Sequence, residues 1–192
     1  VGVDSTTLEA DAAMKSIVRR DTGENWQAYV TRLMREEGVI AKDEEPTDEE
    51  VRRFDKGRKD KKVSNDEWFS PADPDAKITK MKDGRTHLAY KAEHVVDLKT
   101  EVILAAEVYG ADEADTATLV PSLEQAQANV EATESGRTIE KAAADKGYHA
   151  AATLVACREL DLLGVKTYIP EPRGRRRWTD KTAEQKAAVL GN

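Results

Sequence analysis

The chain has 192 residues, of which 39% are hydrophobic and 35% are charged, and its formal net charge is −7. This size allows one domain, or one domain with an insertion, and the net charge alone does not indicate a nucleic-acid binder. No run approaches the roughly 20 apolar residues that a membrane-spanning helix needs, and we expect no signal peptide. Cys157 is the only cysteine, so we expect no disulfides and a reducing cytoplasm. It lies within an apolar helical pattern, which favours an inert thiol in the protein core.

The first quarter of the chain is predicted to contain one short strand followed by helices. Val1 to Asp4 form an apolar strand with the aspartate at its end, and residues 5–20 have apolar side chains on one helical stripe. Residues 26–34 repeat apolar side chains at i, i+3 and i+4, which predicts a second helix. A third helix is expected to begin at Thr47, because T-x-x-E is the spacing of a capping box.

The middle of the chain is predicted to change from loop to sheet. Residues 63–84 are rich in proline, aspartate and glycine, which is typical of a loop. Alternating apolar side chains predict a strand over 86–96. Residues 97–100 suit a hairpin turn into a second strand over 101–109, so these two strands should be antiparallel neighbours.

The last third is predicted to alternate between helices and strands. Helical periodicity covers 115–133 and 150–163, and a polar helix is expected over 179–190. Strands are expected over 138–144 and 165–169.

The predicted order of elements resembles the layout of the ribonuclease-H-like fold. Without the largely helical segment 8–85, the order is β-β-β-α-β-α-β-α, an antiparallel meander extended by crossover strands. We therefore predict an α/β fold with a mixed sheet flanked by helices, formed by residues 1–7 and 86–192. The segment 8–85 would be an insertion after the first strand, and the whole chain 1–192 one catalytic domain. In this layout Asp4 and Asp145 would be spatial neighbours.

The segment Ala142 to His149 (AAADKGYH) ends a predicted buried strand with Asp145. Ligands in open α/β sheets bind at the carboxyl ends of strands, and Asp4 is also expected at a strand end. Carboxylate oxygens suit Mg²⁺ or Mn²⁺, and two such ions can support phosphodiester chemistry. Alternatively, each aspartate only caps the helix after it. The pair in this topology favours the metal site.

Several fragments, in this order, resemble DDE transposases of bacterial insertion sequences, specifically the catalytic domain of the IS-four-like group. They run almost from end to end, and their order and spacing make the resemblance specific: Val3 to Ala10 with Ala12 and Ala13, Asp73 to Lys77, Lys82 to His87, Tyr90 to His94, Ala144 to His149, and Tyr168 to Pro172.

The resemblance implies a DNA-processing enzyme that uses Mg²⁺ held by two aspartates and a glutamate. Asp4 matches the first aspartate and Asp145 the second. Nothing matches the segment that carries the glutamate, and neither Glu184 nor Glu171 has suitable neighbours. We therefore expect a fragment truncated at both ends, without the family's N-terminal DNA-binding region, that alone cleaves DNA poorly or not at all.

Two basic clusters, one within residues 56–62 and one within residues 173–177, could contact DNA phosphates. The other interpretation of each cluster is a solvated charged surface. Trp178 could stack on an unpaired base or pack in the protein, and His149 could contact the scissile phosphate or cap a helix. The three histidines fit no common zinc spacing. The candidate DNA-binding residues are Arg173, Arg175, Arg176, Arg177, Trp178, Lys56, Arg58, Lys59 and His149.

The resemblance implies transposition as the function: metal-dependent cleavage and strand transfer at element ends. The expected partners are element ends and target DNA, with no membrane, a homo-oligomer when two ends are paired, and a location in the bacterial cytoplasm at the nucleoid. Two alternatives remain. One is a truncated, inactive DNA-binding remnant, and the other is a ribonuclease-H-like nuclease that does not join strands.

Overall fold

The computed structural model describes residues 1–59, 61, 63–81, 83–161, 165–172 and 178–192. The strands in this part of the chain are β1 Gly2–Glu9, β2 Val18–Arg19, β3 Trp68–Phe69, β4 Lys77–Lys80, β5 Thr86–Val96, β6 Ile103–Gly110, β7 Lys141–Ala144 and β8 Lys166–Tyr168. The helices are α1 Trp26–Glu36, α2 Asp48–Gly57, α3 Asp115–Glu131, α4 Ala151–Asp161 and α5 Ala183–Gly191, with short 3-10 helices at Met14–Ser16 and Lys146–Tyr148.

The chain divides into two compact units. The first unit contains Val1–Leu8, Lys91–Tyr109 and Glu113–Asn192, and the second contains Glu9–Tyr90 and Gly110–Asp112. The chain therefore leaves the first unit within β1 and returns to it within β5. The assignment of 8–85 as an insertion into one catalytic domain stays a prediction.

The sheet of the first unit has the strand order β6-β5-β1-β7-β8. β1 pairs in parallel with β7, and β7 pairs in parallel with β8. β5 and β6 are joined by residues 97–102, a connection too short for a parallel crossover, so they are antiparallel. The sheet is therefore mixed, and the mixed α/β class predicted from the sequence is confirmed.

The core of the first unit forms where helices pack on the sheet. Leu119, Leu123 and Ala126 of α3 are buried at the i, i+4, i+7 spacing of one helix face. They form one cluster with Val3 of β1 and Val95 of β5. Cys157 of α4 is buried in the same cluster, as expected for a core thiol. One face of the sheet is thus covered by helices.

The second unit has its own apolar core. Trp68, Ile78 and Leu88 form one cluster, and Val30 and Val51 belong to another with Met34. In this unit β4 pairs antiparallel with the start of β5, and β2 pairs antiparallel with β3. The predicted capping box of Thr47 and Glu50 is present at the start of α2.

Two predicted segments were wrong. Residues 5–20 do not form a helix, because β1 continues through Glu9 and is followed by a 3-10 helix and β2. Thr6 and Thr7 are β-branched and favour a strand, and pairing with neighbouring strands decides the conformation of this segment. The predicted loop 63–84 also contains β3 and β4, which are too short to produce a clear alternating pattern.

The remaining predicted elements are confirmed, with some change of bounds. The strand over 86–96 has the predicted limits, and the helix over 26–34 extends to Glu36. The strand over 138–144 is shorter, because pairing covers only Lys141–Ala144. The predicted helix over 179–190 begins at Ala183, where Thr182 and Gln185 form a second capping box.

Candidate functional site

The two candidate aspartates directly follow a register pair of two neighbouring parallel strands. Val3 of β1 is the register partner of Ala144 of β7. Asp4 and Asp145 follow these partners directly, and neighbouring strands lie about 4.8 Å apart. The predicted neighbourhood of the two aspartates is therefore present in the fold. Asp4 is not at the end of its strand as predicted, because β1 continues to Glu9.

Asp145 begins a tight turn after β7. Its Oδ1 accepts a hydrogen bond of 2.6 Å from the backbone N–H of Gly147, which caps the 3-10 helix Lys146–Tyr148. A Cβ on Gly147 would lie 2.8 Å from Oδ1 of Asp145 and 2.8 Å from Oδ2 of Asp115. A larger residue at this position would require at least one of the two carboxylates to move.

An open groove of about 400 Å³ contains both aspartates. Asp4 and Asp145 line it together with His94 of β5 and Leu98. Both aspartates are exposed, so their oxygens are accessible from this groove. His94 was not predicted to lie beside the two aspartates. The alternation of β5 was the signal that could have placed it on the same sheet face as Asp4.

Among the described side chains, no third carboxylate is grouped with Asp4 and Asp145. No group of three or more His, Cys, Asp and Glu residues in this part of the chain is arranged to hold a metal ion. Glu184, in the first turn of α5, and Glu171 therefore do not complete a three-ligand site with Asp4 and Asp145.

The first basic cluster lies in the second unit. Arg58 forms an ion pair with Asp55 at 3.0 Å, and its guanidinium carbon lies 5.5 Å from the centroid of the Tyr29 ring. Lys56 and Lys59 are exposed. Arg58 therefore has a structural role in its unit, whereas the two lysines are available to solvent.

The other DNA-binding candidates belong to the C-terminal third. Arg173, Arg175, Arg176 and Arg177 lie outside the described residues. Trp178 is partly buried against the core of the first unit, which agrees with the packing interpretation. His149 follows the Asp145 turn, and its Nε2 is shielded from solvent without a hydrogen-bond partner in the part of the chain that the structure describes.

The fold and the site define a mixed α/β protein with two carboxylates that follow a register pair of parallel strands. The transposase DDE domain family matches residues 4–188, nearly the whole chain, and the chain therefore belongs to this family. The resemblance found in the sequence is confirmed, and membership of the family implies a transposase, an enzyme that acts on DNA. No curated protein and no solved structure matches the chain significantly. Within the described residues, no helix is long and apolar enough to cross a membrane.

Proposed function

We propose that this chain is the catalytic core of a transposase that cleaves DNA at element ends and joins it to a target with the aid of Mg²⁺ or Mn²⁺. The observation that carries the proposal is the pairing of Val3 with Ala144, which makes Asp4 and Asp145 neighbours on parallel strands. The family match begins at Asp4 and extends beyond Asp145.

The strand order supports a ribonuclease-H-like core. The order β6-β5-β1-β7-β8 has the hairpin strands on one side of β1 and the crossover strands on the other. This order agrees with the ribonuclease-H-like layout that we propose for residues 1–7 and 86–192. In such a sheet β1 is central, so Asp4 has a rigid support on both sides.

The two aspartates fit a divalent metal by their chemistry. Both offer carboxylate oxygens, which are the ligands that Mg²⁺ and Mn²⁺ prefer, and both line an open groove. A divalent ion bound there supplies positive charge against the developing negative charge of a phosphodiester. The residues of this chain orient the site: the Gly147 amide holds Oδ1 of Asp145, and the Ser5 amide donates to Oδ1 of Asp4 at 2.9 Å.

We infer that DNA binds across the groove face of the first unit. The four arginines of 173–177 follow β8 in sequence, and each phosphate contact would add salt-dependent affinity. Two DNA ends must be brought together in transposition, so the active form is proposed to be a homo-oligomer.

A second candidate function is supported by the incomplete ligand set. Two carboxylates without a third in the described part of the chain favour a protein that binds DNA and a metal but does not complete the reaction by itself. On this basis the chain would be a remnant of a transposase, or would need a carboxylate from a further segment.

The experiment that tests the metal site is Mn²⁺ titration followed by electron paramagnetic resonance. Asp4→Asn and Asp145→Asn should each weaken Mn²⁺ binding by about tenfold or more, since each removes a charged ligand. Asp43→Asn, at an exposed position of the second unit, is the control and should bind as the unchanged protein does. Equal affinity in all four proteins would exclude the proposed site.

A cleavage assay separates the two candidates. A transposase core should nick a duplex oligonucleotide in the presence of Mn²⁺ and lose this activity in Asp4→Asn. Salt-dependent DNA binding without any nicking would favour the remnant, and nicking without strand joining would favour a nuclease.

A further inference from the structure

A polar cluster lies in the first unit on the side of the sheet opposite Asp4. It consists of Lys91 and Glu93 of β5, Asp115 and Thr118 of α3, and Tyr148 of the turn after β7, and is called the Lys91 cluster here. Lys91, Glu93, Thr118 and Tyr148 are at most 5% exposed, and Asp115 is half-buried. The function proposed above does not use these residues.

Lys91 joins the strand to the helix. Its Nζ donates to Oγ1 of Thr118 at 2.7 Å and forms an ion pair with Oδ1 of Asp115 at 2.8 Å. Oδ1 of Asp115 also accepts from the hydroxyl of Ser5 at 3.1 Å. Since Ser5 is the neighbour of Asp4 in β1 and successive side chains point to opposite faces, the cluster holds β1 from the face behind Asp4.

Glu93 joins the same strand to the turn of Asp145. Its Oε2 accepts from the hydroxyl of Tyr148 at 2.8 Å and from the hydroxyl of Thr118 at 2.7 Å. Tyr148 is fully buried and comes three residues after Asp145, at the end of the 3-10 helix that Asp145 caps. Burial raises the pKa of Tyr148, so its hydroxyl keeps the proton that it donates.

Stability alone does not explain this cluster. Oε1 of Glu93 is buried without a hydrogen-bond partner among the described atoms, and an unsatisfied buried acceptor is unfavourable. Buried ion pairs contribute little stability compared with apolar side chains of similar volume. What the cluster does supply is geometry, because its bonds connect β5, β1, α3 and the turn after β7.

We propose that the Lys91 cluster is a positioning device for the metal site, in which Tyr148, held by Glu93, fixes the turn that carries the Asp145 carboxylate. Asp115, held by Lys91, also restricts the conformation of that turn. Oδ2 of Asp115 and Oδ1 of Asp145 both occupy the space around Gly147. The residues of the cluster are positioning residues, and the proposal that they serve a metal rests on the function proposed above.

The test compares Tyr148→Phe with Tyr109→Phe. Each substitution removes one hydroxyl from the first unit, and the hydroxyl of Tyr109 forms a 3.0 Å hydrogen bond with Ser122 of α3. Two quantities are measured: hydrogen exchange of the Gly147 amide by NMR, which reports the bond to Asp145, and Mn²⁺ affinity by electron paramagnetic resonance.

We expect Tyr148→Phe to accelerate exchange of the Gly147 amide and to weaken Mn²⁺ binding by about tenfold, the low end of the effect of losing a partner behind a metal ligand. Tyr109→Phe should change neither quantity. If Tyr148→Phe does not fold, Thr118→Val removes a hydroxyl that bonds the same Glu93 oxygen and should produce the same two changes.

Two outcomes would overturn the proposal. Unchanged Gly147 exchange in Tyr148→Phe would mean that Tyr148 does not fix the turn. Faster exchange with Mn²⁺ affinity equal to that of the unchanged protein would mean that the turn does not serve the metal. Faster exchange in a protein whose unchanged form binds no Mn²⁺ would support the positioning of Asp145 and reject the proposed metal function.

Discussion

Val3 of β1 and Ala144 of β7 are register partners on adjacent parallel strands, although they are widely separated in the sequence. This pairing brings Asp4 and Asp145 together in the lining of an open groove. A backbone ladder, rather than contact between the two carboxylates, thus determines the site. Substitutions that leave the ladder intact but move a carboxylate should therefore affect metal binding more than folding.

Gly147→Ala is expected to disturb the site directly. The added Cβ would lie 2.8 Å from carboxylate oxygens of both Asp145 and Asp115, so at least one must move. We expect Mn²⁺ affinity to fall by about tenfold in an electron paramagnetic resonance titration. Gly57→Ala is the control, because a Cβ there has no neighbour within 4 Å. Unchanged affinity in Gly147→Ala would show that the turn can adapt.

Lys91→Met is expected to destabilise the protein by about 3–5 kcal/mol, the cost of leaving a buried charge without its partner. Lys91 is 5% exposed and contacts Glu93 at 3.5 Å and Asp115 at 2.8 Å. Urea unfolding followed by circular dichroism measures the change. Lys141→Met, at an exposed position of β7, is the control, and it should change the free energy of unfolding by no more than about 0.5 kcal/mol.

The double variant Lys91→Met with Glu93→Gln extends this test. It removes the positive charge and the buried negative charge together. It should therefore recover part of the free energy of unfolding that Lys91→Met loses. A double variant no more stable than Lys91→Met would mean that charge imbalance is not the cause.

Stability of the second unit should depend on the protonation of His87. Hydrogen bonds to Glu9 at 2.6 Å and to Asp83 at 3.1 Å raise the pKa of His87 above its ordinary value. A raised pKa in the folded state means that the stabilisation is complete below the unfolded value of about 6.5 and is lost as pH rises through the folded value.

The corresponding measurement is the melting temperature as a function of pH, compared between the unchanged protein and His87→Gln. The unchanged protein should lose an increment of stability from about pH 6.5 upward, whereas glutamine does not titrate and should flatten this part of the curve. Parallel curves for the two proteins would contradict the assignment.

The capping box at α2 should contribute about 1 kcal/mol to the stability of the protein, and Thr47→Ala should remove this contribution. The amide of Thr47 donates to Glu50 at 2.8 Å, and the Thr47 hydroxyl oxygen accepts from the Glu50 amide at 3.4 Å. Thr182→Ala, at the equivalent position before α5, should have a similar cost. Amide exchange in the first turn of α2 measures the effect, and an unchanged rate would mean that the cap is not needed.

Local sequence patterns predicted the elements whose signals are local. The capping box at Thr47, the alternation over 86–96 and the helical repeat of Leu119, Leu123 and Ala126 all depend on neighbours within a few residues. The helix predicted over residues 5–20 was wrong for the opposite reason. Ser5 to Glu9 continue a strand because other strands pair with them, and no periodicity within the segment records that pairing.

The candidate site was predictable in part. A carboxylate after an apolar strand is visible in the sequence at both Asp4 and Asp145, and the resemblance to transposases matches both. His94 was not predicted in the groove, because its position depends on which strands flank β1. The Lys91 cluster was not predicted either, since its members come from three separate parts of the chain and only their burial distinguishes them from ordinary surface residues.

The sequence by itself determined the family and the order of most elements, and it made Asp4 and Asp145 the candidate site residues, because each is encoded in short motifs or local periodicity. Only the tertiary structure decided that Asp4 lies within a longer strand, that the groove includes His94, and that Lys91 and Glu93 are buried behind the site. These properties arise from pairing and packing between distant segments, whose free energy depends on contacts that no local pattern contains.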